Sequence, residues 1–545
     1  MHTNTIIIDR DVPVPMADGT TLRADVWRAA EQAAAGPALL QRTPYGKGAS
    51  LGAIHHQGLE PARAVDAGWS VVIADVRGRC ASDGAFDPFF QEPADGADAI
   101  AWLREQPWCD GRVATYGTSY CGAAALLAAG TAPDGLMACS TIETAAQYHD
   151  GWTHRGGAVQ LSFLLSWVAS DLLGVDPAAH DLATLAGRFG PLADWLAHPD
   201  DDAFWRAISP RERWGATAVC GLHIGGWSDL FLEGTLETYA GLRDGAATPA
   251  ARAGQRLVVG PWAHGVTGSR VGELDFGPDA PQDALDLTAV QLDFVDAVRD
   301  DRLDEIAPVR LFVMGADAWQ DEDAWPPARM VPTRLHLHPG GALRAAAPPA
   351  GAPSDTYTYD PADPVPTTGG PAVLPPALGI PGPADQRAVQ ERPDVLVYTS
   401  DPLTSAVELI GTVHARLWAA TSAADTDWTV KLVDVHPDGR AMSVTDGIVR
   451  ARYREGLDRQ VPPVPGEPAP YDILVGSTAL RLAPGHRLAV EVSSSNFPRF
   501  DAHPNHAGVL ATSSAARRRV AHQTILHDAD HPSSVLLPVT SGALS

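Results

Sequence analysis

Basic side chains, and lysine above all, are scarce in this chain of 545 residues. Lysine and arginine together number 40 against 66 aspartates and glutamates, so the formal net charge is −26. The only lysines are Lys47 and Lys431. A field of this sign repels the phosphate backbone of nucleic acids and the surface of anionic membranes. The composition therefore argues against both as partners.

Cysteine and long apolar runs are also rare. The five cysteines are scattered, odd in number and never spaced Cys-x-x-Cys, which argues against a disulfide framework and against a thiolate zinc site. No apolar run approaches the roughly 18 residues that a membrane-spanning helix needs. The N-terminus lacks the basic stretch and apolar run of a signal peptide. We expect a soluble cytoplasmic protein.

The first third of the chain alternates strand and helix signals. Short apolar runs at 38–40, 70–74, 113–116 and 137–142 are typical of buried strands, and 94–105 has apolar residues at helical spacing. Strand signals return at 216–224, 256–260 and 309–314. This alternation predicts a parallel sheet with helices on both faces.

Two other regions have a different character. Residues 145–211 carry the helical stretches 159–173 and 182–196 and no strand signal, which predicts a helical insertion. Residues 348–383 contain 11 prolines and predict an extended connection. Beyond them, apolar residues such as Val413, Ala415 and Leu417 alternate with polar ones, as in an antiparallel β-sandwich. We therefore predict an α/β domain of 1–144 and 212–330, a helical insertion of 145–211, and a β domain of 331–545.

The sharpest local pattern is Val113-Ala114-Thr115-Tyr116-Gly117-Thr118-Ser119-Tyr120-Cys121-Gly122. A strand there would turn sharply into the helix-forming residues 123–129, with the Ser119 hydroxyl exposed above the sheet and a helix N-terminus facing any oxyanion. The usual motif has its second glycine two residues after the serine, where this chain has Cys121. An ordinary turn that caps a helix would give a similar pattern.

A nucleophilic serine needs a base, and the base needs an orienting acid. Asp229 follows the strand signal at 216–224, and His264 follows the one at 256–260. The carboxyl ends of parallel strands are where α/β sheets place their sites. Taken singly, Asp229 could be a helix N-cap and His264 a loop histidine. The order serine, acid, histidine favours a catalytic triad.

An oxyanion hole needs two preorganised donors. The backbone N–H after the nucleophile, that of Tyr120, supplies one. The glycine-rich loop of many lipases is absent after 38–40, where Arg42-Thr43-Pro44-Tyr45-Gly46-Lys47 stands instead. The Tyr45 hydroxyl could be the second donor, although a packed loop tyrosine is the simpler interpretation of the residues alone.

These residues resemble the cocaine-esterase and X-prolyl dipeptidyl-peptidase-like hydrolases, which include α-amino-acid ester hydrolases and glutaryl-cephalosporin acylases. The resemblance covers nearly the whole chain, through separate motifs in the family's order. They are Arg42-Thr43-Pro44-Tyr45, Asp75-Val76-Arg77-Gly78, the Gly117–Gly122 turn, Gly226-Trp227-Ser228-Asp229, Gly260-Pro261-Trp262-Ala263-His264, Tyr359-Asp360-Pro361-Ala362-Asp363-Pro364-Val365-Pro366, Val433-Asp434-Val435-His436-Pro437-Asp438-Gly439 and Ser494-Ser495-Asn496-Phe497-Pro498-Arg499-Phe500.

The resemblance implies an α/β-hydrolase domain with an inserted helical cap and a C-terminal jelly-roll β-sandwich. It implies a site made of Ser119, Asp229 and His264 as the triad, with the Tyr45 hydroxyl and the Tyr120 N–H as the oxyanion hole. It also explains Cys121, because the family's glycine stands at Gly122. The family mechanism requires no metal or organic cofactor, and the resemblance is compatible with a homodimer.

Members that resemble cocaine esterase hold the acyl group between cap tryptophans and an aromatic residue after the triad acid. Trp152, Trp167 and Phe231 stand at comparable positions. They imply an apolar slot for an aryl or other bulky acyl group. Trp167 could equally be a core residue of the helix at 159–173.

We therefore predict a serine hydrolase that cleaves small-molecule carboxylic esters of bulky or aromatic acyl groups through an acyl-enzyme. The alternative is an amide hydrolase of the same scaffold: an X-Pro dipeptidyl peptidase, an α-amino-acid ester hydrolase or a β-lactam acylase. It would need carboxylates that pair with a substrate ammonium, and Glu143, Asp150 and 200–202 are the candidates, although acidic runs are usually solvated. A third hypothesis is a carbohydrate-binding protein with an inactive hydrolase domain, against which the complete triad argues.

Two further polar groups are interpreted as structural. His503, His506 and Asp501 fall in a predicted loop, so no metal site is predicted there. Asp75 and Arg77 are interpreted as a pair at the end of a strand beneath the site.

Overall fold

The computed structural model describes residues 5–31, 34–48, 59–374, 379–508 and 518–544. Residues 1–4, on which the signal-peptide prediction partly rests, lie outside these ranges. Within the described ranges, no helix is both long enough and apolar enough to cross a lipid bilayer.

The elements follow in chain order. The first strands are β1 (Ile6–Pro15), β2 (Thr21–Ala29), β3 (Gly36–Thr43), β4 (Ser70–Asp75), β5 (Cys109–Thr118), β6 (Leu136–Ile142), β7 (His154–Arg155), β8 (Ala158–Val159), β9 (Cys220–Gly226), β10 (Gln255–Gly260), β11 (Arg270–Val271), β12 (Leu274–Asp275), β13 (Val309–Val313) and β14 (Ala318–Glu322). The later strands are β15 (Val331–His338), β16 (Ala342–Arg344), β17 (Asp355–Tyr359), β18 (Leu396–Thr399), β19 (Val407–Thr421), β20 (Asp427–Val435), β21 (Ala441–Arg450), β22 (Ala469–Leu482), β23 (Arg487–Ser493), β24 (Ala521–Leu526) and β25 (Ser534–Ser541). The α-helices are α1 (Pro61–Asp66), α2 (Glu92–Arg104), α3 (Tyr120–Ala129), α4 (Leu161–Ser166), α5 (Leu182–Ala186), α6 (Gly190–Ala197), α7 (Ala203–Ile208), α8 (Leu232–Gly245), α9 (Pro249–Ala253), α10 (Gln282–Leu285), α11 (Leu287–Arg299) and α12 (Arg387–Gln390).

A ten-stranded sheet with the order β1-β2-β4-β3-β5-β6-β9-β10-β13-β14 forms the centre of the α/β domain. The strands from β4 to β13 pair in parallel, and the pairs at both edges are antiparallel. Side chains alternate across a strand, so Leu39 packs on one face with α1 and α11, while Leu40 packs on the other with α2 and α3. Both faces are thus covered, as a buried parallel sheet requires.

The helices α4 to α7 and the short antiparallel pair of β7 with β8 form the insertion between β6 and β9, so the prediction of an insertion without strands is wrong in this respect. The predicted helix at 159–173 is present as α4, continued by a π-helix at Trp167–Leu172. The predicted helix at 182–196 is wrong as a single element, because the chain is extended at Phe189 between α5 and α6. Pro191 near the start of α6 explains the break, since proline favours the first turn of a helix and disrupts an interior.

The C-terminal strands form a β-sandwich. An eleven-stranded sheet contains the order β17-β24-β19-β25-β15-β16-β18-β23-β20-β21, and its eleventh strand, β22, pairs with β19. On β19, Val413, Ala415 and Leu417 are buried while His414 and Arg416 are exposed, so the alternation points one face to the core. One strand, β17, lies inside the proline-rich connection that was predicted to be extended loop. The sandwich and the α/β sheet confirm the predicted fold class.

Asp75 and Arg77 do not pair with each other, and the sequence-based interpretation is wrong in this respect. The Asp75 carboxylate accepts from the backbone N–H of Lys47 at 2.7 Å, and the Lys47 ammonium lies 3.3 Å away. Arg77 instead forms ion pairs with Asp95 and Asp18, each at 2.6 Å. The partners of Asp75 and of Arg77 thus lie on different segments of the chain, and both sets of contacts stabilise the end of β4.

Candidate active site

Ser119 lies on the turn between β5 and α3 in a backbone conformation that L-residues rarely adopt. Its φ is 57° and its ψ is −123°. Such a conformation costs about 1–3 kcal/mol and persists only where surrounding contacts impose it. The Ser119 N–H donates to the Ile142 carbonyl at 2.9 Å, which ties the turn to the end of β6. The serine therefore stands at the carboxyl edge of the sheet, as in a nucleophile elbow.

Two glycines allow α3 to approach β5 at this turn. A Cβ on Gly117 would lie 2.4 Å from the carbonyl carbon of Cys121, and a Cβ on Gly122 would lie 2.9 Å from the Gly117 oxygen. Any larger residue at either position would push the helix away from the strand. Because Gly122 supplies the close approach, Cys121 can occupy the position of the usual second glycine, where its side chain is fully buried beside Thr43.

His264 and Asp229 form a hydrogen bond beyond the ends of β10 and β9. Nδ1 of His264 lies 2.8 Å from Oδ1 of Asp229, which is almost completely buried. The second carboxylate oxygen accepts from the Phe231 N–H at 3.0 Å, so Asp229 also stabilises the turn that leads into α8. The two alternatives raised by the sequence, an orienting acid and a helix-capping residue, are therefore compatible. With Nδ1 engaged, Nε2 is the ring nitrogen left for a reacting hydroxyl.

The surroundings of His264 favour its protonated form. Burial lowers the pKa of the imidazole, but the hydrogen bond and the charge of Asp229 outweigh it and raise the pKa above its usual value, with the charge of Asp171 adding to the effect. Such an environment stabilises the imidazolium that forms when the histidine accepts a proton.

Glu143 is a second carboxyl group beside His264, at the end of β6. Its Oε2 lies 3.6 Å from Nδ1 of His264, and its side chain is buried. Burial and then the charge of Asp229 raise the pKa of Glu143 to about 8, against a smaller lowering by His264. At neutral pH this carboxyl group is therefore protonated, and Asp229 carries the negative charge next to the imidazole. A buried neutral acid is poorly suited to pair with a substrate ammonium, a role that the sequence had left open.

The Tyr45 hydroxyl reaches the nucleophile from the loop after β3. It accepts from Nε1 of Trp167 at 3.1 Å and lies near enough to the Ser119 side chain to have its pKa lowered by that group. Burial raises the pKa of Tyr45 well above its usual range, and the negative charges that Cys121 and Asp171 can carry raise it further. The hydroxyl therefore keeps its proton and remains a donor.

Tyr120 faces the site with its backbone and not with its side chain. As the first residue of α3, it has no residue four positions back in the helix to accept its N–H. Its buried hydroxyl donates to Oε1 of Glu92 at 3.0 Å and accepts from the Phe89 N–H at 3.1 Å. Glu92 in turn forms a buried ion pair with Arg42 at 2.6 Å. This network anchors the start of α3 and the beginning of the Tyr45 loop to the same carboxylate.

Trp152, Trp167 and Phe231 lie together in one aromatic cluster next to these groups. The rings of Trp152 and Phe231 stack with centroids 4.5 Å apart, and Trp152 meets Trp167 edge-on at 5.1 Å. Phe231 also packs edge-to-face on His264 at 5.3 Å. The stacked pair leaves no room for an acyl group between its own rings. The cluster can instead form a wall along one side of Ser119 and His264.

The sequence missed several members of this site. Phe163 and Trp195 each stack with Trp167, with centroids 5.9 and 5.8 Å away. Asp171 follows Trp167 by four residues, a helical spacing that could have placed both side chains on one face. Protein atoms crowded around Asp171 raise its pKa to about 6, against a lowering by His264, although the residue is open to solvent.

The acidic candidates named from the sequence are engaged elsewhere. Asp150 accepts from the Gly156 N–H at 2.7 Å, and Asp200 accepts from the Tyr453 hydroxyl at 2.7 Å. Asp201 pairs with Arg211 at 3.4 Å, while Asp202 binds His198 at 2.6 Å. Asp171 is thus the carboxylate that sequence reasoning did not name and that lies close enough to Tyr45 and His264 to affect their pKa values.

Known families match both domains. Residues 18–266 match the family described as X-Pro dipeptidyl-peptidase (S15 family), and residues 302–536 match the X-Pro dipeptidyl-peptidase C-terminal non-catalytic domain. The cocaine esterase of Rhodococcus sp. (strain MB1 Bresler) is 37% identical over 97% of this chain and 98% of its own length. The similarity therefore includes both domains.

Solved structures share the same architecture. An aminopeptidase from a marine-sediment Thaumarchaeota archaeon is 26% identical, with a TM-score of 0.86 over 98% of this chain and 97% of that one. An α-amino acid ester hydrolase is 25% identical, with a TM-score of 0.84 over 99% of this chain and 97% of that one. The relatives thus include enzymes named for ester and for peptide substrates.

The raised pKa of Glu143 predicts a pH-dependent loss of stability. An acid whose pKa is about 8 when folded, and about 4.5 when unfolded, binds a proton on folding across that interval, so stability falls as pH rises through it. Glu143→Gln mimics the protonated acid and should not lose this stability. We therefore expect the unfolding free energy of Glu143→Gln, relative to that of the wild type, to increase by at least about 1 kcal/mol when the pH is raised from 5.5 to 8.

Urea unfolding of both proteins at the two pH values measures this difference, and the exposed Glu391→Gln is the control for loss of a surface carboxylate. A difference between Glu143→Gln and wild type that does not change with pH would contradict the protonation state assigned to Glu143.

Proposed function

The chain belongs to the family of cocaine-esterase and X-prolyl dipeptidyl-peptidase-like serine hydrolases, and we propose that Ser119, Asp229 and His264 are the triad with which it cleaves carboxylic esters. The observation that carries this proposal is the 2.8 Å hydrogen bond between His264 and Asp229, at the sheet edge where Ser119 occupies its strained turn. We also propose the division into an α/β-hydrolase domain, a cap of 145–211 and a β domain from 331. The cytoplasmic location and the homodimer stay predictions.

The reaction follows from these positions. Nε2 of His264 takes the proton of Ser119 as Oγ attacks the ester carbonyl, and Asp229 stabilises the imidazolium. The tetrahedral intermediate collapses as His264 passes the proton to the leaving alcohol, which leaves an acyl-enzyme on Ser119. Water then attacks the acyl carbon with His264 again as the base, and the acid is released.

The Tyr45 hydroxyl and the Tyr120 N–H are the proposed oxyanion donors. Both are held before substrate arrives, Tyr45 by its bond from Trp167 and Tyr120 by the helix it begins. Preorganised donors of this kind stabilise developing charge without the cost of reorienting solvent. The high pKa of Tyr45 supports this role, because an ionised tyrosine would repel the oxyanion.

The acyl group is proposed to lie along the wall formed by Trp152, Trp167 and Phe231. Phe231 contacts His264 and Trp167 contacts Tyr45, so both rings adjoin groups that act on the carbonyl. Aromatic faces of this extent favour an aryl or other bulky apolar acyl group.

Asp171 supports a second candidate, hydrolysis of substrates with a free amino group. With a pKa of about 6 it is largely ionised at neutral pH, and it influences both Tyr45 and His264. A carboxylate there could pair with an ammonium group next to the scissile carbonyl. The aminopeptidase and the α-amino acid ester hydrolase among the relatives are consistent with this candidate.

We expect preferential ester hydrolysis. The kcat/KM for p-nitrophenyl acetate, butyrate and benzoate should exceed that for Gly-Pro-p-nitroanilide, and Ser119→Ala should abolish all four activities. Because aryl esters are intrinsically more reactive than anilides, methyl phenylacetate and phenylglycine methyl ester provide a matched pair that differs by one amino group.

A preference for phenylglycine methyl ester of tenfold or more (about 1.4 kcal/mol), lost in Asp171→Asn, would favour the amino-group candidate. Equal or better cleavage of methyl phenylacetate, unchanged in Asp171→Asn, supports the simple esterase. Anilide cleavage that exceeds cleavage of every ester would contradict the proposal.

Removing the Tyr45 hydroxyl should slow the chemical step. We expect Tyr45→Phe to lower kcat by about 10²–10³-fold with little change in KM, because the oxyanion develops in the transition state. Tyr148→Phe deletes a hydroxyl from the same aromatic cluster, where it has no hydrogen-bond partner among the described residues, and serves as the matched control. A Tyr45→Phe enzyme as active as this control would exclude the hydroxyl from the oxyanion hole.

A further inference from the structure

A compact group of potential metal ligands lies in the β-sandwich, away from the elements that carry the triad. Asp434 stands near the end of β20, His436 lies in the turn to β21, and His486 precedes β23. We call these three residues the Asp434 cluster. Each offers one ligand atom, and the three atoms all lie within 4.8 Å of one another.

The ring nitrogens of the Asp434 cluster converge on one carboxylate. Nδ1 of His486 lies 2.8 Å from Oδ1 of Asp434, and Nε2 of His436 lies 3.4 Å from Oδ2. The two imidazole rings are adjacent, with centroids 4.4 Å apart. Each histidine thus directs one ring nitrogen to a different oxygen of the same carboxylate.

We propose that Asp434, His436 and His486 bind a zinc ion. Zinc takes histidine and aspartate ligands at about 2.0–2.2 Å, so neighbouring ligand atoms of a tetrahedral site are about 3.4 Å apart. The distances between ligand atoms of the cluster include 2.8 and 3.4 Å and do not exceed 4.8 Å, a range that includes the tetrahedral value. Zinc binds a neutral imidazole through its unprotonated nitrogen, so in the bound state Nδ1 of His486 and Nε2 of His436 carry no proton.

The three cluster residues line a cleft between the α/β domain and the β-sandwich, from which a fourth ligand could enter. The cleft has a volume of about 290 Å³ and is also lined by Asp275, Met314 and Asp317 of the α/β domain and by Arg481 of the sandwich. Three protein ligands with one open position let a water molecule, or a group that enters the cleft, complete the coordination. Such an ion would join the β20–β21 turn to the loop before β23 beside the domain boundary.

The test is a zinc titration of the whole chain, first treated with a chelator and then freed of it, with binding measured by isothermal titration calorimetry and the unfolding midpoint by thermal denaturation. We expect one equivalent to bind with a Kd below about 1 μM and to raise the unfolding midpoint. His486→Ala and His436→Ala should each weaken this affinity at least 100-fold. Because His436 lies in a partly exposed turn, His436→Ala should disturb folding less than the substitution of a buried residue would.

Two control variants separate this site from other histidines. His531→Ala removes another histidine of the sandwich that pairs with a single aspartate, Asp528 at 3.1 Å, and should leave the affinity unchanged. His264→Ala removes the histidine from the other described cluster of three such groups, formed with Glu143 and Asp229, and should also leave it unchanged. The proposal is overturned if no zinc binds at tens of micromolar, if binding is lost in either control, or if it persists in both cluster variants.

Discussion

The site depends on one strained backbone turn, at which Ser119 adopts a positive φ between β5 and α3. Steric room for this turn comes from Gly117 and Gly122, since a Cβ on either would collide with the opposing backbone. Its position is maintained from below by the buried ion pair of Arg42 with Glu92, which also accepts from the Tyr120 hydroxyl. The unfavourable conformation of one residue is thus offset by a network that also sets the two proposed oxyanion donors.

Charge around the imidazole is the second constraint. Two carboxyl groups approach Nδ1 of His264, and a protein interior does not favour ionisation of both. Burial and the negative Asp229 keep Glu143 protonated near neutral pH, so a single charge orients the histidine. The buried ring of Phe231 packs edge-to-face on the same imidazole, and such apolar surroundings strengthen the electrostatic interactions of the histidine.

The sequence predicted the parts of this structure that local patterns determine. Strand positions, the turn at Ser119 and the acid and histidine after returning strands follow from periodicity and small-residue spacing. The break between α5 and α6, the separate partners of Asp75 and Arg77, and the location of Asp171 depend on contacts between distant segments, which no local pattern contains. Tyr45 is intermediate: its residues alone favoured a packed loop tyrosine, the family resemblance implied an oxyanion donor, and the structure adds the hydrogen bond that its hydroxyl accepts from Trp167.

The central claim, that Ser119 is the nucleophile, is tested most directly by mass spectrometry after reaction with a fluorophosphonate. The account predicts one adduct per chain, located by peptide mapping on the segment that contains Ser119, and no adduct in Ser119→Ala. An adduct on another residue, or a folded wild-type protein that does not react, would contradict it. The second result would favour a binding protein with an inactive hydrolase domain.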